Sequence, residues 1–306
     1  MITSLGIVLA LGFPFFFWGG PGYAAARSYK AVWDLGHILF FALATILVLL
    51  VARQRGMSTG RSFILHLIVL GGACGVGIEI IQLGIGGRSV DFWDVCRDFL
   101  GIFTGLFFMG IQPASSRLRS FFLCTLAAFL LIASVAPVRA LYDEETARKQ
   151  FPVLADFETP FEETRFMPAD RVHRTDVRIR EGRFSLQVHL TTETYSGVSL
   201  FYFPGDWRGY KQLHFSVYNP YKETMRLFCR IHDKWHRKHD FLYRDRFNSR
   251  LQAKPGWNDY CLSLDVVQQA PVGRKMDMSS IASFMLFVAR EPYSRVMYLD
   301  QIFLSR

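Results

Sequence analysis

Seven polar side chains interrupt one apolar stretch, residues 75–105: Glu79, Gln82, Arg88, Asp91, Asp94, Arg97 and Asp98. Carboxylates beside an imidazole can move protons, and an arginine among them can grip a phosphate or carboxylate. The imidazole is at hand in His37, three residues after Asp34. In the first 140 residues the acids are Asp34, Glu79, Asp91, Asp94 and Asp98, so four of the five lie in this one stretch. Polar groups inside membrane-spanning sequence usually face a protein interior and carry function. Asp34, His37, Glu79, Gln82, Arg88, Asp91, Asp94 and Asp98 are therefore read as one pocket. His37 and Glu79 are its candidates for acid–base work, but no nucleophile–base pair or metal-binding motif accompanies them.

The elements that must position these groups are apolar helices. Residues 2–18, 31–52, 62–84, 91–111 and 120–138 are each apolar and close to the ~20 residues that a bilayer crossing needs. The first is read as a retained helix, since no positive charge precedes it. Arg53, Arg55 and Arg61 fall in one short loop and Arg117 and Arg119 in another, two spans later. The positive-inside rule puts both loops in the cytoplasm. The N-terminus is then cytoplasmic, and the chain after residue 139 is extracytoplasmic. On this topology the three polar clusters share one depth, near the outer surface of an inner membrane. Helical steps of three and four put each cluster on one face, and Gly72, Gly75, Gly101 and Gly105 continue those faces inward.

A second region differs in pattern. Residues 1–140 hold 10 Lys+Arg and 5 Asp+Glu, leaving 25 and 21 of the chain totals of 35 and 26 for the remainder. So mixed a surface is a poor match for nucleic acid. Residues 139–154 read as a linker with a polar middle. From residue 155 the period becomes two, with strands expected at 182–190, 213–219, 225–232, 259–264, 283–288 and 296–304. Asn219-Pro220 and Pro255-Gly256 mark turns. The expected architecture is an α-helical membrane bundle of five transmembrane helices (1–138), then an all-β sandwich or jelly roll (155–306).

In the β region, Arg230, His232, Asp233, Trp235, His236, Asp245, Arg246 and Asn248 crowd two short segments. Planar polar groups beside an aromatic ring suit sugar hydroxyls and sugar C–H faces, so these eight form a candidate glycan site. The five cysteines show no C-x-x-C spacing. Cys229 and Cys261 are read as buried strand thiols, with pairing as the open alternative.

The membrane part resembles the VanZ-like family. The matching residues are Asp34-x-x-His37, Glu79-x-x-Gln82 and Arg88-x-x-Asp91-x-x-Asp94-x-x-x-Asp98-x-x-Gly101, within residues 1–112. The chain departs from that family at Asp98, where Asn is usual, and at Leu35, where Lys is common. The resemblance implies a cell-envelope role related to glycopeptide resistance. The β region resembles carbohydrate-binding modules of the galactose-binding-like jelly-roll type, on L-A-D-F-E (154–158), G-R-F-S-L (182–186), P-G-W-N (255–258) and Y-L-D-Q-I (298–302). That resemblance implies a structural Ca²⁺ held by Asp156, Glu158 and Asp300.

Together these readings favour a non-enzymatic envelope protein in the lipid bilayer. Its β domain binds a glycan and its bundle meets a lipid-linked or cell-wall component. The alternative is a membrane-embedded enzyme that uses acid–base chemistry on a lipid-linked glycan or cell-wall precursor.

Overall fold

The computed structural model describes residues 1–22, 25–84, 91–113 and 115–306. It divides into two compact units, Met1–Ala140 and Leu141–Arg306.

The first unit is helical. Its elements are α1 (Ile2–Gly12), a 3₁₀ turn (Phe13–Phe16), α2 (Arg27–Gln54), α3 (Arg61–Leu83), α4 (Phe92–Phe108) and α5 (Ser116–Gln150). Phe16, Phe41, Leu49, Ile78, Ile102 and Leu106 form its core. The backbones of α2 and α4 touch, which explains two glycines. A Cβ on Gly101 would sit 2.5 Å from the Ile38 carbonyl oxygen, and one on Gly105 2.7 Å from that of Ala42. Small residues at such crossings let helices approach without a side chain between them. On the outside, Leu65, Leu70, Phe129 and Leu131 are largely exposed, so apolar side chains cover surface as well as core.

Among the described residues three helices, α2, α3 and α5, are long and apolar enough to cross a membrane. This differs from the five expected spans. Pro14 and the following glycines end the first apolar run early, so α1 with its 3₁₀ turn covers only residues 2–16. Helix α4 has 17 residues, roughly 26 Å at 1.5 Å per residue. The linker reading is also corrected. Residues 139–150 continue α5 as helix, because Glu-Glu-Thr-Ala-Arg-Lys-Gln is made largely of good helix formers. Glu145 pairs there with Lys149 at 3.3 Å.

The second unit is a sandwich of two antiparallel sheets. The strands are β1 (Val153–Ala155), β2 (Phe166–Met167), β3 (Val172–Thr175), β4 (Ser185–Leu190), β5 (Tyr195–Leu200), β6 (Gln212–Asn219), β7 (Met225–Asp233), β8 (Phe247–Ala253), β9 (Gly256–Ser263), β10 (Ile281–Ala289) and β11 (Arg295–Ser305). One sheet runs β3-β4-β11-β6-β9, with β1 added to β11. The other runs β2-β5-β10-β7-β8. Alternate residues of both sheets meet in one core, with Trp207, Phe157, Phe166, Phe215 and Phe284 among its fully buried members. All six expected strands are present. Five shorter or more polar ones (β1, β2, β3, β5, β8) have too few alternating apolar residues to announce themselves. The cysteine reading is half corrected. Both are free thiols, and Cys229 is buried, but Cys261 is exposed because its position on β9 points away from the core.

Candidate functional site

In the helical unit, α2, α3 and α4 each turn polar residues toward one another. His37 on α2 lies with its Nδ1 2.8 Å from Oδ1 of Asp98 on α4. Its Nε2 faces Oδ2 of Asp94, one helical turn before Asp98, at 3.6 Å. The Phe16 ring meets the imidazole edge-on at 4.8 Å between centroids. Glu79 on α3 is 3% exposed, and its Oε2 accepts the Asp91 backbone N–H at 3.0 Å. Asp91 caps α4 by accepting the Trp93 N–H at 2.9 Å. Arg97 pairs with Asp94 and also lies 3.6 Å from Asp91. Asp34 is within electrostatic reach of Arg97, Asp94 and His37.

Most of the expected pocket residues are thus brought together. Gln82 is spent elsewhere, since its Nε2 donates to the Phe16 carbonyl at 2.8 Å and so ties α3 to the first turn of chain. Arg88 lies outside the described residues. A cation that joins the cluster is Arg97, which sequence reasoning left out of the pocket. Its place three residues after Asp94 was the available signal. Beside the cluster a cavity of about 340 Å³ opens along α1 and α2. Leu9, Phe16, Leu39 and Phe40 line its body, and Asp34, His37 and Asp94 its polar part.

In the β unit, the strands decide which predicted residues reach a surface. Leu227, Cys229 and Ile231 point into the core, so Arg226, Phe228 and Arg230 point out. Register then builds rows across the outer face of the five-stranded sheet. One row is Gly197, Phe287, Phe228 and Arg250; the next is Ser199, Met285, Arg230 and Asn248. Phe228 and Phe287 stack at 5.3 Å, and Tyr195 meets Phe287 edge-on at 5.9 Å. Gly197 leaves room for this, since a Cβ there would collide with Phe287. Arg246 donates from Nε to Asn248 Oδ1 at 3.0 Å and lies 5.2 Å from the Tyr243 ring. Burial lowers the Arg246 pKa, while the phenols of Tyr243 and Tyr195 favour its charge. Side chains from opposite edges of the sheet therefore converge over this face.

Only part of the predicted octet belongs there. Arg230, Arg246 and Asn248 lie on the face. Trp235 is exposed, with Lys238 Nζ 4.1 Å from its ring centre. Asp233, His236 and Asp245 are instead consumed by an internal clasp. Arg274 holds Asp233 at 2.5 and 2.9 Å and Asp245 at 2.6 and 2.9 Å, and His236 Nδ1 lies 3.1 Å from Asp245. Arg274 keeps the Asp245 carboxyl far below the usual carboxylate range. Sequence reasoning missed Tyr195, Arg226, Phe228, Arg250, Met285 and Phe287. The alternation in M-R-L-F-C-R-I (225–231) was enough to find Arg226 and Phe228.

His232 is buried, its ring 4.7 Å from that of His236 and tilted 38° to it, and burial pushes its pKa down to about 4. The unfolded chain takes up this proton near pH 6.5, before the folded one. Stability from His232 is thus complete above pH 6.5 and is lost as pH falls toward 4, by about 3 kcal/mol. His236 is shifted in the same direction, also by burial. Denaturant unfolding of the β unit between pH 7 and 4 checks this, and His232→Phe should flatten the slope.

Asp156, Glu158 and Asp300 were expected to hold Ca²⁺. Glu158 Oε1 accepts the N–H groups of Arg183 and Phe184, and Asp300 accepts those of Arg180, Glu181 and Gln301. Asp156 Oδ1 accepts the Glu158 N–H, and Arg174 takes the Phe157 and Glu158 carbonyls. These oxygens are committed to pinning loops, with arginines around them, and the donor set does not fit a Ca²⁺ cage.

No family model matches the chain, and no curated relative matches it. Solved structures do align over half of it. A family 11 carbohydrate-binding module from Clostridium thermocellum, in complex with a β-1,3-1,4-mixed-linked tetrasaccharide, shows 14% identity over 50% of this chain and 94% of its own, with a TM-score of 0.37. The solution structure of CtCBM11 shows 16% identity over 50% and 93%, with a TM-score of 0.36. An agarase, AgWH50C, shows 14% identity over 50% and 26%, with a TM-score of 0.38.

Proposed function

We propose that this chain is a membrane-anchored protein of the cell envelope whose β unit binds an acidic glycan. One observation carries the reading. The outer face of the five-stranded sheet gathers Arg226, Arg230, Arg246 and Arg250 around Phe228, Phe287 and Tyr195, and its strand positions hold no carboxylate. Aromatic rings offer a sugar its apolar surface, the exposed Gln252 beside Arg226 offers a hydroxyl partner, and the arginines select carboxylate or phosphate substituents. The helical unit is the anchor. The N-terminus is cytoplasmic, the β unit is extracytoplasmic, and α1 and α4 join the three long helices as shorter crossings. The VanZ-like resemblance rests on the residue pattern of the polar cluster alone.

The test is calorimetric titration of the full chain in detergent with neutral and anionic oligosaccharides of equal length. The anionic sugars should bind, and binding should weaken as salt rises. Arg226→Gln with Arg250→Gln should lower affinity by roughly tenfold, at about 1.4 kcal/mol, with unfolding unchanged. Equal affinity for neutral sugars overturns the charge selectivity. Absence of binding to either class overturns the glycan reading.

A further inference from the structure

We infer that His37, Glu79 and Asp94 form a binding site for one divalent transition-metal ion of the zinc class. One ligand atom from each of the three lies within 4.8 Å of those of the other two. Zinc bound tetrahedrally at 2.0–2.2 Å separates its ligands by roughly 3.3–3.5 Å, so a small contraction closes the set. The 3.6 Å between His37 Nε2 and Asp94 Oδ2 is already near that spacing.

The partners of the three residues define which atoms are left for an ion. His37 spends Nδ1 on Asp98, so Nε2 faces the site. Asp94 spends Oδ1 on Arg97, so Oδ2 faces it. Glu79 spends Oε2 on the Asp91 N–H, and its Oε1 is buried with no hydrogen-bond partner among the described residues. A buried carboxylate oxygen without a partner is costly, and a cation removes that cost. The charge balance points the same way. Asp34, Glu79, Asp91, Asp94 and Asp98 gather in one cluster, and its Arg97 is already paired with Asp94 and near Asp91. Buried carboxylates are paired or hold metals.

Asp98 supplies the support that metal-binding histidines usually have. Its carboxylate fixes the imidazole from the far side, and its Oδ2 is also buried with no hydrogen-bond partner among the described residues. The departure from the VanZ-like pattern at this position therefore puts a carboxylate behind the histidine, where Asn would carry no charge. Such outer partners are worth about 10–100-fold in metal affinity. One histidine with two carboxylates suits Zn²⁺ or Mn²⁺ better than soft thiophilic ions. Three protein ligands leave a fourth position, and the cavity along α1 and α2 borders both His37 and Asp94. An ion here would be reachable by a small oxygen ligand rather than sealed.

The test uses the full chain, purified in detergent and stripped with chelator, then titrated with Zn²⁺, Mn²⁺, Co²⁺ and Mg²⁺. One Zn²⁺ per chain should bind, with Mg²⁺ at least roughly a hundredfold weaker. The Co²⁺ form should show strong visible bands of four- or five-coordinate geometry and no thiolate charge-transfer band, which separates this site from the five cysteines. Glu79→Gln should abolish binding. Asp98→Asn should weaken it about 10–100-fold without removing it. Wild-type chain that binds no metal, or binds only through thiolate, overturns the inference. So does a Glu79→Gln variant that keeps wild-type stoichiometry. The Co²⁺ spectrum is read on the wild-type chain, so the inference stays testable if a variant fails to fold.

Discussion

Asp143→Ala is expected to destabilise the β unit by about 3–5 kcal/mol, the typical cost of leaving one charge of a buried pair alone. Asp143 lies on the last turns of α5 and is fully buried, as is its partner Arg165. The carboxylate takes Arg165 Nε at 3.0 and 3.1 Å and Nη2 at 2.8 Å, while Nη1 donates to the Leu154 carbonyl at 2.8 Å. This is a planar fork meeting a planar acceptor, the strongest form of ion pair a protein makes. Removing the acid strands a guanidinium in the core of the unit. A neighbouring clamp depends on the same corner: buried Glu162 accepts the backbone N–H groups of Asp156, Phe157 and Thr159 at 3.1, 2.7 and 3.2 Å. Thermal unfolding should show a drop of roughly 10 °C for a unit of this size. Asp143→Ala with Arg165→Leu should recover much of the loss, since both charges then leave together. A double variant as unstable as the single one would show that packing, not the charge, sets the effect.

Arg274→Met should have the second-largest effect, again about 3–5 kcal/mol. Arg274 is the cation that holds Asp233 and Asp245, both buried, in one clasp. Asp233 also accepts the Asp277 N–H at 2.7 Å, so the clasp ties three segments together. Met fills comparable volume and leaves two carboxylates facing each other, with the imidazoles of His236 and His239 beside Asp245 in place of the guanidinium. The segment between β7 and β8 should loosen first, because it carries Asp245 and leads directly into Arg246. The variant should therefore lose both unfolding temperature and affinity for anionic oligosaccharide. Affinity at the wild-type level in a destabilised Arg274→Met chain would mean that Arg246 and its neighbours do not form the binding face.

Much of the β unit was legible in the sequence. Strong two-residue alternation marked β4, β6, β7, β9, β10 and β11, because one face of each strand must be apolar to enter the core. Short edge and connecting strands such as β2 and β3 lack that pattern and are found only through their partners. The glycan octet shows the limit of sequence proximity. Asp233, His236 and Asp245 are close in sequence to Arg230 and Asn248, yet they serve a clasp. The residue that claims them, Arg274, stands 41 positions beyond Asp233.

The polar cluster divides in the same manner. Spacing alone determined that Asp34 and His37, Glu79 and Gln82, and Asp91, Asp94 and Asp98 each share a helix face, since 3.6 residues per turn allows little else. Composition alone determined that a strongly apolar helical region precedes a mixed-charge β region. What tertiary structure decided is the assignment of atoms. Glycine-mediated contact of α2 with α4 sets how near His37 comes to Asp94 and Asp98. The N-cap residue of α4, Asp91, then donates its backbone N–H to one oxygen of Glu79 and leaves the other without a hydrogen bond among the described residues. A sequence carries which side chains are available, but the atoms that remain for a ligand follow only after every neighbour has taken its share.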